Sequence, residues 1–206
     1  MKIYLGTTNS NKLHEINSLL KEYPIEGLEV EFSLLPEGIE EPEENGDTFL
    51  DNAITKADYY AAKLQMPCLA DDSGLEVTIL DNKPGVFSKR WVGKENATIQ
   101  DYCDHLIEEM KKKGYESSPA RYVCAMALTM PDPVEENTLS TIISTGVCKG
   151  VIKRKMRGTH GFGYDPLFYI DHSTTMAELS TSQKNAISHR GKAFRDIMEQ
   201  LKEKMQ

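Results

Sequence analysis

The sequence lacks the features that mark membrane proteins and disulfide-rich secreted proteins. No apolar run approaches the roughly 20 residues that a membrane-spanning helix needs. The N-terminus carries one lysine and passes quickly into polar residues, unlike a signal peptide. The sequence has four cysteines, Cys68, Cys103, Cys124 and Cys148. They are scattered without a Cys-x-x-Cys pair, which disfavours zinc sites and disulfide scaffolds. We therefore expect a cytoplasmic protein with free, buried thiols and no membrane association.

Basic residues are also fewer than acidic residues. Lys and Arg number 24 against 32 Asp and Glu, for a formal net charge of −8. A general nucleic-acid-binding surface needs a basic stripe, so we expect no nucleic-acid partner. A small anionic ligand is still possible, because basic residues cluster locally around 83–94 and 149–157. The remaining composition, 39% hydrophobic in 206 residues, is that of a soluble globular protein with one domain or two lobes.

Hydrophobic spacing predicts alternating strands and helices, as in an α/β protein. The predicted strands cover residues 2–6, 28–35, 120–130, 138–151 and 167–170. Residues 120–130 and 138–151 are expected to form a hairpin. Helices are predicted over residues 12–23 and 48–65, from Thr98 to about residue 114, and from about residue 181 to the C-terminus.

Two adjacent acids, Asp71 and Asp72, stand at the centre of the most informative stretch, residues 69–91. An apolar strand-like run precedes them, and Ser73 follows with a glycine before a second strand-like run over 75–80. Because successive strand residues point to opposite faces, at least one carboxylate is expected to face a cleft and to need a metal or a cation there. Taken alone, Asp-Asp-Ser-Gly favours the alternative of a polar turn between two strands.

The hydroxyl-rich turn over residues 7–12 connects the first strand to the first helix. Its backbone N–H groups and the helix N-terminus are suited to an anion, although it lacks the glycines of a Walker loop. A plain connection capped by Ser10 or Asn11 is the alternative that spacing alone favours.

Two further features allow two interpretations each. The glycine- and aromatic-rich residues 158–166 suggest either backbone close to a ligand with rings that stack on it, or a tight loop whose rings plug the core. Lys56 borders the apolar face of its helix, so it either extends along the surface into solvent or points into a cleft.

Several motifs occur in one order along the chain, and together they identify a family. The motifs are Thr-Asn-Ser-Asn-Lys at 8–12, Ala-Asp-Asp-Ser-Gly-Leu at 70–75, Pro-Gly-Val-Phe-Ser at 84–88, Gly-Phe-Gly-Tyr-Asp-Pro at 161–166 and Ser-His-Arg-Gly at 188–191. Over nearly its full length the chain resembles the inosine/xanthosine triphosphate pyrophosphatase family.

The resemblance implies one ITPase-like domain over 1–206. Its fold is α/β, an elongated, mixed, twisted sheet flanked by helices, with two lobes and a cleft between them. The implied activity is Mg²⁺-dependent hydrolysis of ITP, dITP and XTP to the nucleoside monophosphate and pyrophosphate, by a homodimer. The activity would remove non-standard purines from the nucleotide pool.

The resemblance also assigns site residues. Asp72 would deprotonate the attacking water with Asp71 in support, Glu44 and Asp72 would bind Mg²⁺, and Ser73 would hydrogen-bond the substrate. The phosphates would lie against Thr7, Thr8, Asn9, Ser10, Asn11, Lys12, Lys56 and Lys184. The nucleoside would contact Phe162, Gly163, Tyr164 and Asp165, with His189 and Arg190 as donors to the 6-oxo group. Adenine, whose 6-amino group is itself a donor, would be rejected.

Departures from the family pattern concern fine specificity. Thr8 stands where the family usually has glycine, and His160 replaces a common glycine. Two other functions stay open: a nucleotide pyrophosphatase with a shifted base preference, and a nucleotide-binding regulator without turnover. The acid pair and Lys12 and Lys56 speak against a regulator, because a pure binder needs no water-activating carboxylate.

Overall fold

The computed structural model describes residues 1–132, 134–135 and 138–206. Within them lie seven strands and five α-helices. The strands are β1 (Lys2–Leu5), β2 (Glu31–Leu34), β3 (Cys68–Val77), β4 (Lys83–Pro84), β5 (Ser117–Pro131), β6 (Leu139–Lys153) and β7 (Phe168–Tyr169). The helices are α1 (Ser10–Glu22), α2 (Phe49–Leu64), α3 (Ile99–Lys112), α4 (Thr181–Ile187) and α5 (His189–Met205).

The strands form one sheet in the order β2-β1-β3-β5-β6-β7, with β4 paired to β3. β1 runs parallel to both β2 and β3, whereas β4 is antiparallel to β3 and β7 is antiparallel to β6. β5 and β6 are neighbours, as the predicted hairpin requires. The predicted mixed α/β sheet with flanking helices is confirmed.

Side-chain caps determine where the helices begin. Thr48 caps α2 by accepting from the Asp51 N–H, and Thr98 caps α3 in a reciprocal capping box with Asp101. Both starts agree with the sequence. The predicted cap of α1 was wrong: Asn9 is the cap, because its backbone is extended and its Oδ1 accepts from the Asn11 N–H at 2.9 Å.

The predicted turn after the acid pair does not exist. β3 continues unbroken through Ser73, so Asp71 and Asp72 lie inside a strand of ten residues rather than at its end. Long-range partners hold this part extended: Glu76 pairs with Pro84 of β4, and the Leu75 N–H donates to the Ser88 Oγ at 2.9 Å. Tertiary pairing therefore overrides the local turn preference of a Ser-Gly dipeptide.

The predicted single C-terminal helix is two helices. The Ser188 N–H donates to the Lys184 carbonyl at 2.8 Å and closes α4. Ser188 itself is extended, with φ −64° and ψ 156°, so the chain changes direction before α5 begins at His189. A helical pattern on both sides of one extended residue cannot be distinguished from a continuous helix by spacing alone.

The chain divides into two compact units. Unit 1 comprises Met1–Asp72, Cys124–Gly146 and Arg190–Gln206, and unit 2 comprises Ser73–Val123 and Val147–His189. The single domain of two lobes stays a prediction. Each unit has its own apolar core: Leu5, Leu69, Met126 and Phe194 belong to the first, and Leu75, Leu106, Tyr122 and Phe168 to the second.

The four cysteines are free and buried, which confirms the prediction for the thiols. No helix among the described residues is long and apolar enough to cross a membrane.

Gly150 is a position where any side chain would collide with the sheet. A Cβ there would lie 2.5 Å from the Tyr169 carbonyl oxygen and 2.6 Å from the Phe168 ring. We expect Gly150→Ala to disturb the pairing of β6 with β7 and to lower the free energy of unfolding by about 1–3 kcal/mol. Urea unfolding measures the change. Ile143→Ala, on an exposed part of the same strand, is the control, and equal midpoints for both variants would contradict the expectation.

Candidate functional site

Asp71 is the centre of an ion-pair network in unit 1. Its Oδ1 accepts from the Lys12 Nζ at 2.8 Å, and its Oδ2 accepts from the Arg190 Nη2 at 3.0 Å. The second Arg190 nitrogen group, Nη1, donates to the Glu15 Oε2 at 2.7 Å. The network therefore joins α1, β3 and α5, three elements far apart in the sequence.

Glu15 was not identified from the sequence. The available signal was its position three residues after Lys12 on α1, which places both side chains on the same helical face. Arg190 was predicted to be a contact to the purine, but its side chain is only 5% exposed and its donors engage Glu15 and Asp71. Its observed contacts are those of a residue that positions Asp71.

The two acids have opposite electrostatic environments. Burial disfavours the charged form of Asp71, but the positive charges of Lys12, Arg190 and Lys56 outweigh it and hold the pKa of Asp71 far below its usual range. For Asp72, burial dominates and raises the pKa. Lys56 and a hydrogen bond from Asn52 oppose that rise, while the charges of Glu44 and Asp71 add to it.

Lys56 connects the acidic loop to the acid pair. Its Nζ donates to the Glu44 Oε2 at 3.1 Å and to the Asp71 carbonyl at 2.8 Å. The residue is only 7% exposed, so of the two alternatives it points inward and does not extend into solvent. Glu44 is close enough to Asp72 for its charge to raise the pKa of Asp72.

The donor set around Glu44 and Asp72 suits a hard divalent cation. Mg²⁺ is commonly held by one or two carboxylates, with water and substrate phosphate completing its shell. No group of three or more His, Cys, Asp or Glu side chains with metal-binding geometry occurs among the described residues. Two carboxylates, one of which raises the pKa of the other, fit Mg²⁺ better than zinc.

The turn before α1 is held in shape by its own side chains. The Thr7 Oγ1 accepts from the Asn9 N–H at 3.1 Å, and Thr8, Asn9, Ser10 and Asn11 are exposed. Thr8 does not have a positive φ, so the backbone needs no glycine at this position. A small pocket below the turn is lined by Gly6, Thr7, Lys12 and Asp71, among others.

Asp165 organises the glycine-rich loop in unit 2. The residue is 1% exposed, and its Oδ2 accepts from the Lys184 Nζ at 2.6 Å and from the Phe162 N–H at 3.0 Å. Gly161 has φ +86°, and a Cβ there would lie 2.1 Å from the same Oδ2. Gly161 is therefore required both by its conformation and by its contact with the carboxylate.

The two aromatic residues of this loop differ in burial. Tyr164 is 3% exposed, its hydroxyl donates to the Ser88 carbonyl at 3.0 Å, and its ring packs against Tyr102. Phe162 is 44% exposed, with the Lys184 Nζ 4.3 Å from its ring centre. Each of the two interpretations of the loop therefore describes one ring: Tyr164 fills the core, and Phe162 lies at the surface.

His189 is buried and stacks on Tyr122, with ring centres 4.9 Å apart and 14° between the planes.

The predicted site residues divide between the units. Unit 1 holds Thr7, Thr8, Asn9, Ser10, Asn11, Lys12, Glu44, Lys56, Asp71, Asp72 and Arg190. Unit 2 holds Ser73, Phe162, Gly163, Tyr164, Asp165, Lys184 and His189.

The model of the Ham1 family matches residues 3–200. This chain belongs to the Ham1 family. Its relatives include the dITP/XTP pyrophosphatase of Bacillus anthracis, 40% identical over 98% of this chain and 96% of that protein. The dITP/XTP pyrophosphatase of Coxiella burnetii is also 40% identical, over 98% of both chains. The resemblance inferred from the motifs is confirmed.

Solved structures of Ham1 proteins share the fold of this family member. The HAM1 protein from Coxiella burnetii superposes with a TM-score of 0.84 and 38% identity, covering 98% of this chain and 99% of that one. The Ham1 protein of Staphylococcus aureus gives a TM-score of 0.82 at 30% identity, over 99% and 100% of the two chains.

The low pKa of Asp71 predicts a pH-dependent contribution to the stability of this Ham1 protein. Aspartate in an unfolded chain titrates near about 3.9, so the unfolded protein binds more protons than the folded one as the pH falls below that value. The contribution is therefore complete above about pH 5 and is lost on acidification below it. We expect Asp71→Asn to be less stable at pH 7 and to lose stability less steeply than the parent below about pH 5.

Urea unfolding midpoints between pH 7 and pH 3 measure this dependence. Asp47→Asn, an exposed position in the acidic loop, is the control and should keep the slope of the parent. If Asp71→Asn also kept that slope, the ion pairs of Asp71 would not be the source of the acid sensitivity.

Proposed function

We propose that this Ham1 family member hydrolyses ITP, dITP and XTP to the nucleoside monophosphate and pyrophosphate, and so removes non-standard purines from the nucleotide pool. Relatives named dITP/XTP pyrophosphatases are about 40% identical over nearly the whole chain. The observation that carries the proposal is the acid pair of β3, whose two neighbouring carboxylates have pKa values displaced in opposite directions. In enzyme sites, two acids whose pKa values are displaced in opposite directions commonly have different roles: one stays charged and the other transfers a proton.

Binding of the triphosphate requires compensation of about four negative charges. In unit 1 we assign this to the backbone and side chains of residues 7–12, including Lys12, and to Lys56. Lys184 stays the sequence-based prediction for a further phosphate contact. Lys12 and Lys56 already lie within hydrogen-bond distance of Asp71 atoms, so their charges are held in place before the substrate arrives. Such preorganisation lowers the cost of orienting charged groups during the reaction.

Asp72 accepts the proton of the attacking water in this proposal. The water oxygen forms a bond to the α-phosphorus, the bond from that phosphorus to the α,β-bridging oxygen breaks, and pyrophosphate leaves with the bonding electrons. A raised pKa makes Asp72 a better base than an ordinary aspartate. Asp71 stays ionised and holds Lys12 and Arg190.

Glu44 and Asp72 are the residues we propose to hold Mg²⁺. When bound, the ion would offset phosphate charge and lower the pKa of the water.

The nucleoside is proposed to lie against the loop of unit 2. The exposed Phe162 ring is available to stack on a purine, with Gly163 and Ser73 as further contacts, while Tyr164 and Asp165 shape the loop from inside. His189 is assigned as a donor to the 6-oxo group, which adenine lacks. Arg190, predicted as a second donor, is assigned to the positioning of Asp71. We also propose that the protein acts in the cytoplasm and that it forms a homodimer. Light scattering on the purified protein would test the homodimer.

Product analysis tests the bond that is cleaved. We expect ITP with Mg²⁺ to yield IMP and pyrophosphate in equal amounts, measured by chromatography. Release of orthophosphate would reject cleavage between the α- and β-phosphates. Ranking ITP, dITP, XTP, GTP, ATP and modified pyrimidine triphosphates by kcat/KM decides between the proposed specificity and a shifted base preference.

Replacement of the proposed base distinguishes an enzyme from a nucleotide-binding regulator. We expect Asp72→Asn to lower kcat for ITP by about 100-fold or more, because general-base catalysis contributes at least that much. Asp81→Asn, at a highly exposed acid, is the control and should retain parental activity. Hydrolysis near the parental rate in Asp72→Asn would show that another group takes the proton.

A further inference from the structure

A buried amide on α2 connects the acid pair with the acidic loop. Asn52 is 2% exposed. Its Nδ2 donates to the Asp72 Oδ2 at 3.0 Å, and its Oδ1 accepts from the Gly46 N–H at 2.9 Å. Both ends of the amide are thus used, and they contact two different segments of unit 1.

The chain around Gly46 is built for this contact. A Cβ at Gly46 would lie 2.7 Å from the Asn52 Oδ1 and 2.8 Å from the Asp51 Cβ. A side chain there would displace the loop from the amide. Gly46 follows Glu44 by two residues, so this hydrogen bond also restrains the segment that carries Glu44.

Lys56 lies one helical turn after Asn52, on the same face of α2. It makes the same kind of link, since its Nζ donates to the Glu44 Oε2 and to the Asp71 carbonyl. The two side chains join the acidic loop to β3 at two points. Lys56 supplies charge to the site, whereas Asn52 is neutral and contributes only hydrogen bonds.

We propose that Asn52 is a positioning residue that holds the Asp72 carboxylate and the Glu44-bearing loop in their working arrangement without touching the substrate. The inference rests on the proposed function, because it assumes that Asp72 and Glu44 act in hydrolysis. An amide suits this task because it donates at one end and accepts at the other, and burial keeps water from competing for either bond. Support of this kind around acid ligands affects activity by about 10–100-fold.

Two substitutions separate the two bonds. Asn52→Asp keeps an oxygen that accepts from the Gly46 N–H but removes the donor to Asp72, whereas Asn52→Leu removes both at similar volume. Thr55→Ala, on the exposed face of the same helix, is the control. All four proteins, the parent included, are assayed at pH 8 with ITP and Mg²⁺, and amide hydrogen exchange is followed over residues 41–49.

We expect kcat to fall about 10–100-fold in both Asn52 variants, with KM changed less than about threefold. Hydrogen exchange of the acidic loop should accelerate in Asn52→Leu and stay near the parental rate in Asn52→Asp. Thr55→Ala should match the parent in both measurements. A raised KM with unchanged kcat would instead make Asn52 a substrate contact, and unchanged kcat in Asn52→Asp would reduce its role to folding.

The exchange measurement does not depend on the identity of the reaction. If the parent fails to hydrolyse ITP, the proposed function fails. Faster loop exchange in Asn52→Leu alone would then still support the positioning of the loop. Equal exchange in the parent and in Asn52→Leu would overturn the positioning of the loop whether or not ITP is hydrolysed.

Discussion

The structure of unit 1 depends on the compensation of one buried carboxylate. Asp71 is largely buried within β3, where an unpaired charge would be very costly. Lys12 from α1 and Arg190 from α5 surround it, and Glu15 balances the second half of the Arg190 guanidinium. Removal of one partner from such a group leaves an uncompensated charge, which typically costs about 3–5 kcal/mol. As long as Asp71 is ionised, its ion pairs therefore hold α1, α5 and β3 in one arrangement.

The same constraint gives the neighbouring acid its chemistry. The cations nearest the pair are used mainly by Asp71, so the partly buried Asp72 has weaker compensation and a raised pKa. Asn52 and Lys56 then connect this pair to the acidic loop. One face of α2 thus controls both the orientation of Asp72 and the position of the loop that carries Glu44. The opposite pKa shifts of two adjacent aspartates follow from their packing, since both are the same residue type.

Much of the secondary structure was predictable because local signals coincide with it. Thr48 and Thr98 precede apolar helical spacing and accept from the N–H groups that a helix start leaves unpaired. The failures have different physical causes. Residues 73–74 prefer a turn locally, but β4 and Ser88 hold this stretch extended, so contacts from elsewhere in the chain outweigh a local preference of about 1 kcal/mol or less. Ser188 interrupts the helical spacing without a proline, and the spacing on both sides of it matches that of one helix.

By itself, the sequence determined the family and the residue types of the site, because its motifs recur in a specific order and each carries a chemical requirement for acids, lysines or glycines. Only the tertiary structure decided what each group does within that set. It showed that Arg190 pairs with Asp71 and Glu15, that Tyr164 is a core residue while Phe162 is exposed, and that Asn52 reaches both Asp72 and Gly46. The reason is that a pKa, a hydrogen-bond partner and an exposed ring are properties of three-dimensional neighbours, and spacing along a chain does not specify which neighbours meet.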